Sequence, residues 1–351
     1  MESAYGGKVS IEVPEVAGLT GQRALVTGAA GFIGSSLARV LLRSGAEVIA
    51  YDNLATGSLA NLESSDSEGY GKVKFVHGDV RDWEKLRRNL PGVDVVFHLA
   101  CLGVRHSLHS PHENHDVNAS GTLTVLSQAR SANVRRIVHV SSSEVYGTAQ
   151  WVPMTEQHIT DPHTVYGASK LAGECYARAY HRCYGTDVVV LRPFNAYGPR
   201  SHSEGDSGEV IPRLLLRALT GKTLTVFGDG TQTRDFTHVY DTAGAMAAAG
   251  AADDVSGLTL NVGSGAEISV NELADLIRKV TGRDAPVERT APRPGDVLRL
   301  FAESTRAAEK LGYSPTVPLD QGLEDLAGRL EALGPDRLTE LTADMQVRNW
   351  E

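Results

Sequence analysis

Ala24-Leu25-Val26-Thr27-Gly28-Ala29-Ala30-Gly31-Phe32-Ile33-Gly34 is the stretch that decides the fold. Residues 24–27 read as a short apolar strand. Beyond the glycine, Phe32, Ile33, Leu37, Val40 and Leu41 recur at helical spacing until Ser44-Gly45 stops them. A strand that turns through glycine into a helix presents backbone amides at the helix N-terminus, and a phosphate reaches them only where no Cβ intrudes. The third glycine of the G-x-x-G-x-x-G spacing lets helix and strand pack closely. A second strand, Glu47 to Tyr51, leads directly to Asp52, an acid placed to accept hydrogen bonds from an adenosine ribose. That order predicts a dinucleotide site. No Lys or Arg lies between Asp52 and Gly71 to hold a 2′-phosphate, so NAD is expected rather than NADP. Asp79-Val80, after a third strand, is expected at the adenine edge.

Outward from this unit, strand-like runs recur at Val73 to His77, Val93 to His98, Arg136 to Val140 and Asp187 to Leu191, separated by helical stretches. Alternating β and α with Val-rich strands predicts an α/β fold: a Rossmann-type doubly wound parallel sheet covered on both faces. After Arg192 the loops lengthen, and helices are expected at about 209–220, 241–252, 270–281 and 319–333. Ser269 and Glu272 have capping-box spacing at the start of the third. The expected organisation is an N-terminal tail (1–20), an NAD-binding domain (21–191), a smaller α/β substrate lobe (192–333) with segments returning to the sheet, and a C-terminal tail (334–351).

Composition narrows the function. Of 351 residues, 34 are Lys or Arg and 43 are Asp or Glu, a formal charge of −9 without the basic stripe that a nucleic-acid partner requires. No apolar run is long enough to span a membrane, and the N-terminal residues show no secretory pattern, so a cytoplasmic protein is expected. Cys101, Cys175 and Cys183 are odd in number, fit no C-x-x-C pattern and are expected as small buried residues. His106, His109, His112 and His115 recur every third residue, but such steps drift around a helix and Pro111 interrupts them, so no metal site is expected.

Tyr166-Gly-Ala-Ser-Lys170 opens a long helical pattern that puts Tyr and Lys on one face. An ammonium beside a phenol favours the phenolate, which would let Tyr166 act as a base near neutral pH. Upstream, Ser141-Ser142-Ser143-Glu144-Val-Tyr-Gly147 follows a strand and sets hydroxyls and a carboxylate where ligands of such sheets sit. Further motifs follow in order: Arg192-Pro-Phe-Asn195-Ala-Tyr-Gly-Pro199, Gly228-Asp-Gly230, Arg234-Asp-Phe236, Asn261-Val-Gly263 and Arg293-Pro-Gly-Asp296. With Gly28 to Gly34, Tyr51-Asp52-Asn53-Leu54, Gly78-Asp79-Val80 and His98-Leu99-Ala100, the chain from about Arg23 to Arg329 resembles an extended short-chain dehydrogenase/reductase of the nucleotide-sugar epimerase/dehydratase family.

The resemblance implies a redox triad of Ser142, Tyr166 and Lys170, acting on C4 of a nucleotide-diphosphate sugar with NAD. Gly28, Gly31, Phe32, Ile33 and Gly34 would follow the pyrophosphate, with Asp52, Asn53, Asp79, Val80, Leu99 and Ala100 along the rest of the cofactor. Asn195, Arg234, Arg293 and Asp296 would hold the substrate diphosphate, Val226 would lie under the nucleobase, and Arg105 could meet a uronate carboxylate. Ser143-Glu144 bears on the reaction. Dehydratases of deoxythymidine-diphosphate glucose resemble this chain but carry Asp-Glu there, whereas Ser-Ser-Glu resembles GDP-mannose dehydratases and UDP-glucuronate decarboxylases. Asp52 to Gly57, Arg234 to Phe236 and Arg293 to Asp296 look more like 4-epimerases of UDP-glucose or UDP-glucuronate. The leading expectation is 4-epimerisation in a homodimer, with 4,6-dehydration, then decarboxylation, as alternatives. Outside this chemistry stand a dehydrogenase that releases NADH and an NAD-sensing binding protein.

Overall fold

In a computed structural model the protein is described over residues 11–67, 69–71, 73–203, 205, 208–343 and 345. Six apolar runs form parallel strands: β1 (Arg23–Thr27), β2 (Glu47–Asp52), β3 (Lys74–His77), β4 (Val95–His98), β5 (Arg136–Val140) and β6 (Val188–Pro193). The chain then forms β7 (Asn195–Tyr197), β8 (Leu224–Phe227), β9 (Thr233–Arg234), β10 (Phe236–His238), β11 (Thr259–Val262), β12 (Ile268–Ser269) and β13 (Val287–Thr290). β11 returns to the main sheet, whose order is β11-β6-β5-β4-β1-β2-β3. Every neighbouring pair in it is parallel.

A parallel sheet buries both faces, and two apolar clusters do this here. One packs helices Phe32–Arg43 and Val239–Ala251 onto the sheet through Leu37, Leu41, Ala243 and Ala247. The other uses Leu86, Val125, Leu126 and Ala177 from helices Trp83–Asn89, Gly121–Ser131 and Val165–Tyr184. The strand order reverses between β1 and β4, so the connections that follow them leave in opposite directions and a crevice opens at the carboxyl ends of the strands. A smaller body closes it from one side. Its core joins Leu214, Leu224, Leu273, Ile277, Leu323 and Leu326 from helices Val210–Leu219, Val270–Thr281 and Leu319–Glu331 and the β8–β13 pair. The expected capping box is present, with Ser269 and Glu272 satisfying each other's backbone amides.

Several expectations are corrected. β6 runs past 191 to Pro193, because Leu191 to Pro193 pair with β11. Of the expected N-terminal tail, residues 1–10 lie outside the described ones, but Val13 and Leu19 are each 1% exposed in the main core. Val16 also donates its amide to Ser44 Oγ at 2.9 Å. Of the expected C-terminal tail, 344 and 346–351 lie outside the described residues, yet Pro335–Ala343 is a helix whose Leu338 packs with Leu216 and Met345. Cys175 and Cys183 are exposed rather than buried, and Cys101 is half-buried.

The glycine turn sets how closely the first helix approaches the sheet. A Cβ on Gly34 would lie 2.0 Å from the Gly28 carbonyl oxygen and 2.8 Å from Ala29 Cα, all of it rigid backbone. Gly34→Ala is therefore expected to destabilise the protein by about 1–3 kcal/mol, measured by urea denaturation. Gly328, exposed in a helix with nothing within 4 Å of where a Cβ would stand, is the control: its alanine variant should gain up to about 1 kcal/mol.

Candidate active site

The crevice is a cleft of about 430 Å³ that reaches from the glycine turn to the smaller body. At its cofactor end Gly28 adopts φ +69°, and a Cβ there would lie 2.8 Å from the Ala100 amide nitrogen, so the turns after β1 and β4 touch. Helix Phe32–Arg43 begins at Gly31 with no side-chain cap and no acid in its first turn. Its N-terminal amides face the cleft without an internal anion, the arrangement that accepts a pyrophosphate. Asp52 lines the same wall. Its Oδ2 accepts from the Ala30 amide (2.9 Å) and its Oδ1 from the Leu54 amide (2.7 Å), fixing the carboxylate on the turn, while burial pushes its pKa up. Beyond it Arg81 is paired with Asp79 at 2.7 Å, and that hydrogen bond holds the Asp79 carboxyl down at about 2.

β5 ends at Val140, and Ser142 follows in extended conformation with its Oγ accepting from the Glu144 amide at 3.2 Å. Thr164 caps the helix Val165–Tyr184, accepting from the Gly167 amide at 3.1 Å, and so places Tyr166 in its first turn and Lys170 one turn on. Ser142, Tyr166 and Lys170 all line the cleft. The electrostatics differ from the expectation. Burial dominates at Tyr166 and pushes its pKa well up, and the hydrogen bond with Ser142 opposes that. Lys170 instead donates to the Val140 carbonyl at 2.6 Å, and burial lowers its own pKa.

At the far end five arginines, Arg105, Arg213, Arg217, Arg234 and Arg293, share the wall with three acids, Glu144, Glu209 and Asp296. Arg234 and Arg293 converge on one oxygen, Asp296 Oδ1, at 2.6 and 2.7 Å. Asp296, expected among the substrate's partners, thus holds the arginines. Glu144 is pushed up by burial, against the pull of Arg234 and Arg293. Asn195 Oδ1 and Arg105 Nε are buried with no hydrogen-bond partner among the described residues.

Gly28, Gly31, Phe32, Ile33, Gly34, Asp52, Leu99, Arg105, Ser142, Ser143, Glu144, Tyr166, Lys170, Asn195, Arg234, Arg293 and Asp296 are all brought to this cleft. Asn53, Asp79, Val80, Ala100 and Val226 are not on its wall. Asn53 donates to Asp79 at 3.0 Å instead. Val226 is fully buried, and strand alternation turns its neighbours Thr225 and Phe227 to the cleft. Sequence reading missed Thr56, His202, Glu209, Arg213 and Arg217. Thr56 lies within the Asp52 to Gly57 stretch, whereas the last four belong to no short motif and reach the cleft because the smaller body docks there.

Beneath the helix Val165–Tyr184 lies a buried ionic network. Glu174, one turn beyond Lys170, is fully buried and accepts two hydrogen bonds from Arg192, at 2.8 and 2.6 Å. Arg192 also donates to the Tyr146 hydroxyl (2.8 Å), which donates to Asn261 Oδ1 (2.6 Å). Burial opposes the Glu174 charge, yet the Arg192 contacts hold its carboxyl below its ordinary value. A depressed carboxyl contributes stability above its unfolded-state pKa and loses it as pH falls through the folded one. Glu174→Gln leaves a buried cation half-paired. It should cost about 3–5 kcal/mol at neutral pH and flatten the acid side of the stability profile, both read by urea denaturation across pH.

Residues 25–326 match the family model described as GDP-mannose 4,6 dehydratase. A UDP-glucose 4-epimerase from Mycolicibacterium smegmatis is 38% identical over 309 residues, 86% of this chain and 96% of the relative. Among solved structures, a dTDP-glucose 4,6-dehydratase from Streptomyces venezuelae with NAD bound superposes with a TM-score of 0.84 at 36% identity, covering 91% of this chain and all of the other. A UDP-glucuronic acid 4-epimerase from Bacillus cereus, in complex with NAD and UDP-4-deoxy-4-fluoro-glucuronic acid, gives 0.83 at 32% identity, covering 89% of this chain and all of the other. The glycine turn, the Ser-Tyr-Lys cleft and these likenesses together mean that the chain belongs to the extended short-chain dehydrogenase/reductase family of nucleotide-sugar epimerases and dehydratases.

Proposed function

We propose that the protein is an NAD-dependent 4-epimerase of a nucleotide-diphosphate hexose or hexuronate, of the UDP-glucose or UDP-glucuronate type. The observation that carries this reading is the single cleft with an anion-accepting helix N-terminus at one end, an arginine cluster at the other and Ser142, Tyr166 and Lys170 between them. NAD fits the cofactor end, where Gly28, Gly31 and Gly34 line the wall beside an uncapped helix N-terminus; when bound, it would take hydride from C4 and return it. Tyr166 removes the C4 hydroxyl proton, steadied by Ser142, and gives it back when the 4-ketone is reduced on its other face. Lys170 turns its ammonium to the nicotinamide ribose and the phenol, and Asp52 holds the adenosine ribose. Arg234, Arg293 and Asn195 grip the substrate diphosphate with directional donors, and the base lies against the β8 strand around Val226. Epimerisation needs only the triad and room for the ketone to turn, which suits the replacement of an acid by Ser143.

A second reading, 4,6-dehydration, is favoured by one observation: Glu144 is a buried carboxyl with a raised pKa beside the triad, suited to proton transfer at C5. The protein is further read as cytoplasmic and homodimeric. Helices Gly121–Ser131 and Val165–Tyr184 leave Leu123 and Tyr184 exposed, in keeping with the family's habit of pairing through two helices. No described helix is long and apolar enough to cross a membrane.

A panel of UDP-, GDP-, CDP- and dTDP-sugars read by mass spectrometry and chromatography separates the readings. Altered retention at constant mass is expected; loss of water means dehydration, loss of carbon dioxide means decarboxylation, and bound NAD without turnover means a sensor. Tyr166→Phe should keep NAD bound while turnover falls by at least about 100-fold, measured by progress curves. Glu144→Gln should leave epimerisation largely intact, whereas a dehydratase would lose its product.

A further inference from the structure

The helix Pro335–Ala343 takes no part in the chemistry above, and it begins beyond residue 326, where the match to the family model ends. It packs on the helix Val210–Leu219, which stands between it and the cleft. Successive residues of a helix are turned by about 100°, so the partners of each residue define three faces of Val210–Leu219. Arg213, Leu214 and Arg217 lie on the face that lines the cleft. Ile211, Leu215 and Ala218, about a third of a turn round, join the core of the smaller body. Leu216 and Leu219 lie on the remaining side, away from the cleft, and pack with Leu338, Leu341 and Met345.

This contact falls at the end of the helix that also holds β8. The Leu216 carbonyl accepts from the Thr220 amide at 3.0 Å and from the Thr220 hydroxyl at 2.7 Å, and that hydroxyl stands 3.5 Å from the Thr342 hydroxyl. Arg217, next to Leu216, accepts the Lys222 amide on its carbonyl at 2.8 Å and donates from Nε to the Thr223 carbonyl. Thr223 leads straight into β8, whose Thr225 and Phe227 face the cleft. Leu216 and Leu338 are both buried, and a close-packed contact does not slide. The seat of one on the other therefore fixes the turn from Arg217 to Thr223 and the strand that follows.

We propose, on the basis of the nucleotide-sugar reading above, that the helix Pro335–Ala343 positions the nucleotide-binding wall of the cleft. Through Leu338 on Leu216 it sets where Arg217 and β8 stand, and so how tightly a nucleoside diphosphate is held, without itself touching the ligand. Leu338 and Leu341 are positioning residues in this role. The redox end is built on other elements: Ser142 follows β5, Tyr166 and Lys170 stand on the helix Val165–Tyr184, and the glycine turn follows β1. The signature of the role is a split, in which nucleotide binding weakens while cofactor binding and the chemical step are unchanged.

The test compares the full-length wild type, Leu338→Ala and Leu126→Ala, each loaded with NAD. Leu126 is also buried, but in the core that helix Gly121–Ser131 forms against the main sheet, so its variant controls for the loss of stability that any such truncation brings. Affinities for UDP, GDP, CDP and dTDP are measured by calorimetry, and KM and kcat by progress curves with the sugar nucleotide that turns over. Leu338→Ala should hold the nucleotide that the wild type binds best about three- to thirtyfold more weakly, with KM raised to match, while NAD content and kcat stay at the wild-type level. Leu126→Ala should bind that nucleotide as the wild type does. Equal affinity in the wild type and Leu338→Ala, an equal loss in Leu126→Ala, or a loss carried by kcat in place of KM overturns the inference and leaves the nucleotide-sugar reading standing. Should Leu338→Ala fail to fold, Leu341→Ala, at the half-buried rim of the same contact, takes its place: a smaller loss in the same direction is expected, and no loss overturns the inference. If the wild type binds none of the four nucleotides, the nucleotide-sugar reading falls and the inference with it.

Discussion

The bidentate contact between Glu174 and Arg192 is the constraint on which the catalytic geometry depends. It ties the helix that carries Tyr166 and Lys170 to the end of β6, and through Tyr146 and Asn261 it reaches the turn that carries Ser142 and the edge strand β11. Four segments distant in sequence are thereby held in register from below, while their upper surfaces stay open to ligand. An apolar core of the same volume would be at least as stable, because burying two charges carries a large desolvation cost. What an ion pair adds is direction: a guanidinium fork fixes both the distance and the rotation of the carboxylate it holds. Under the proposed function, in which the Tyr166 phenol and the Ser142 hydroxyl meet one carbon of a sugar, rotation matters as much as distance.

The same division between rigid base and receptive rim shows in the charges. The chain is acidic overall, with a formal charge of −9, yet the substrate end of the cleft gathers five arginines against three acids. Burial lowers the pKa values of Arg105, Arg213, Arg217 and Arg234, and neighbouring cations add to the effect at Arg105, Arg213 and Arg234. A local excess of positive charge inside an acidic protein selects small anions and discourages polyanions, which would meet the negative exterior first.

Much of this was legible in the sequence because it is local. The helices Phe32–Arg43 and Val270–Thr281 begin and end where periodicity and stop signals put them, and the Tyr166–Lys170 spacing needs only helical geometry to place both groups on one face. The motifs at Gly28, Asp52, Leu99, Ser142 and Asn195 converge because they lie at or just beyond the carboxyl ends of β1, β2, β4, β5 and β6 in one parallel sheet. What escaped depends on docking or on parity. Glu209, Arg213 and Arg217 ride on a helix of the smaller body, and no spacing along the chain reveals that this helix closes over Tyr166. The Val226 side chain faces the core while Thr225 and Phe227 face the cleft, because one step along a strand reverses a side chain's direction. The electrostatic sign at Tyr166 was misjudged for a related reason: Lys170 stands at the right spacing, but its ammonium has a carbonyl to bind and the phenol is deeply buried.

Asp296 shows how such a site avoids becoming a trap. Its single oxygen accepts from both Arg234 and Arg293, so the two cations are aimed into the cleft before any ligand arrives, and their mutual repulsion is offset. In the function proposed above, a diphosphate held by Arg234 and Arg293 shares those donors with Asp296. The resident acid then limits how tightly a phosphate is gripped, for product as much as for substrate. In a reaction whose two ends carry the same nucleotide diphosphate, the handle cannot tell one from the other, and a cap of this kind keeps departure from becoming the slow event of each cycle.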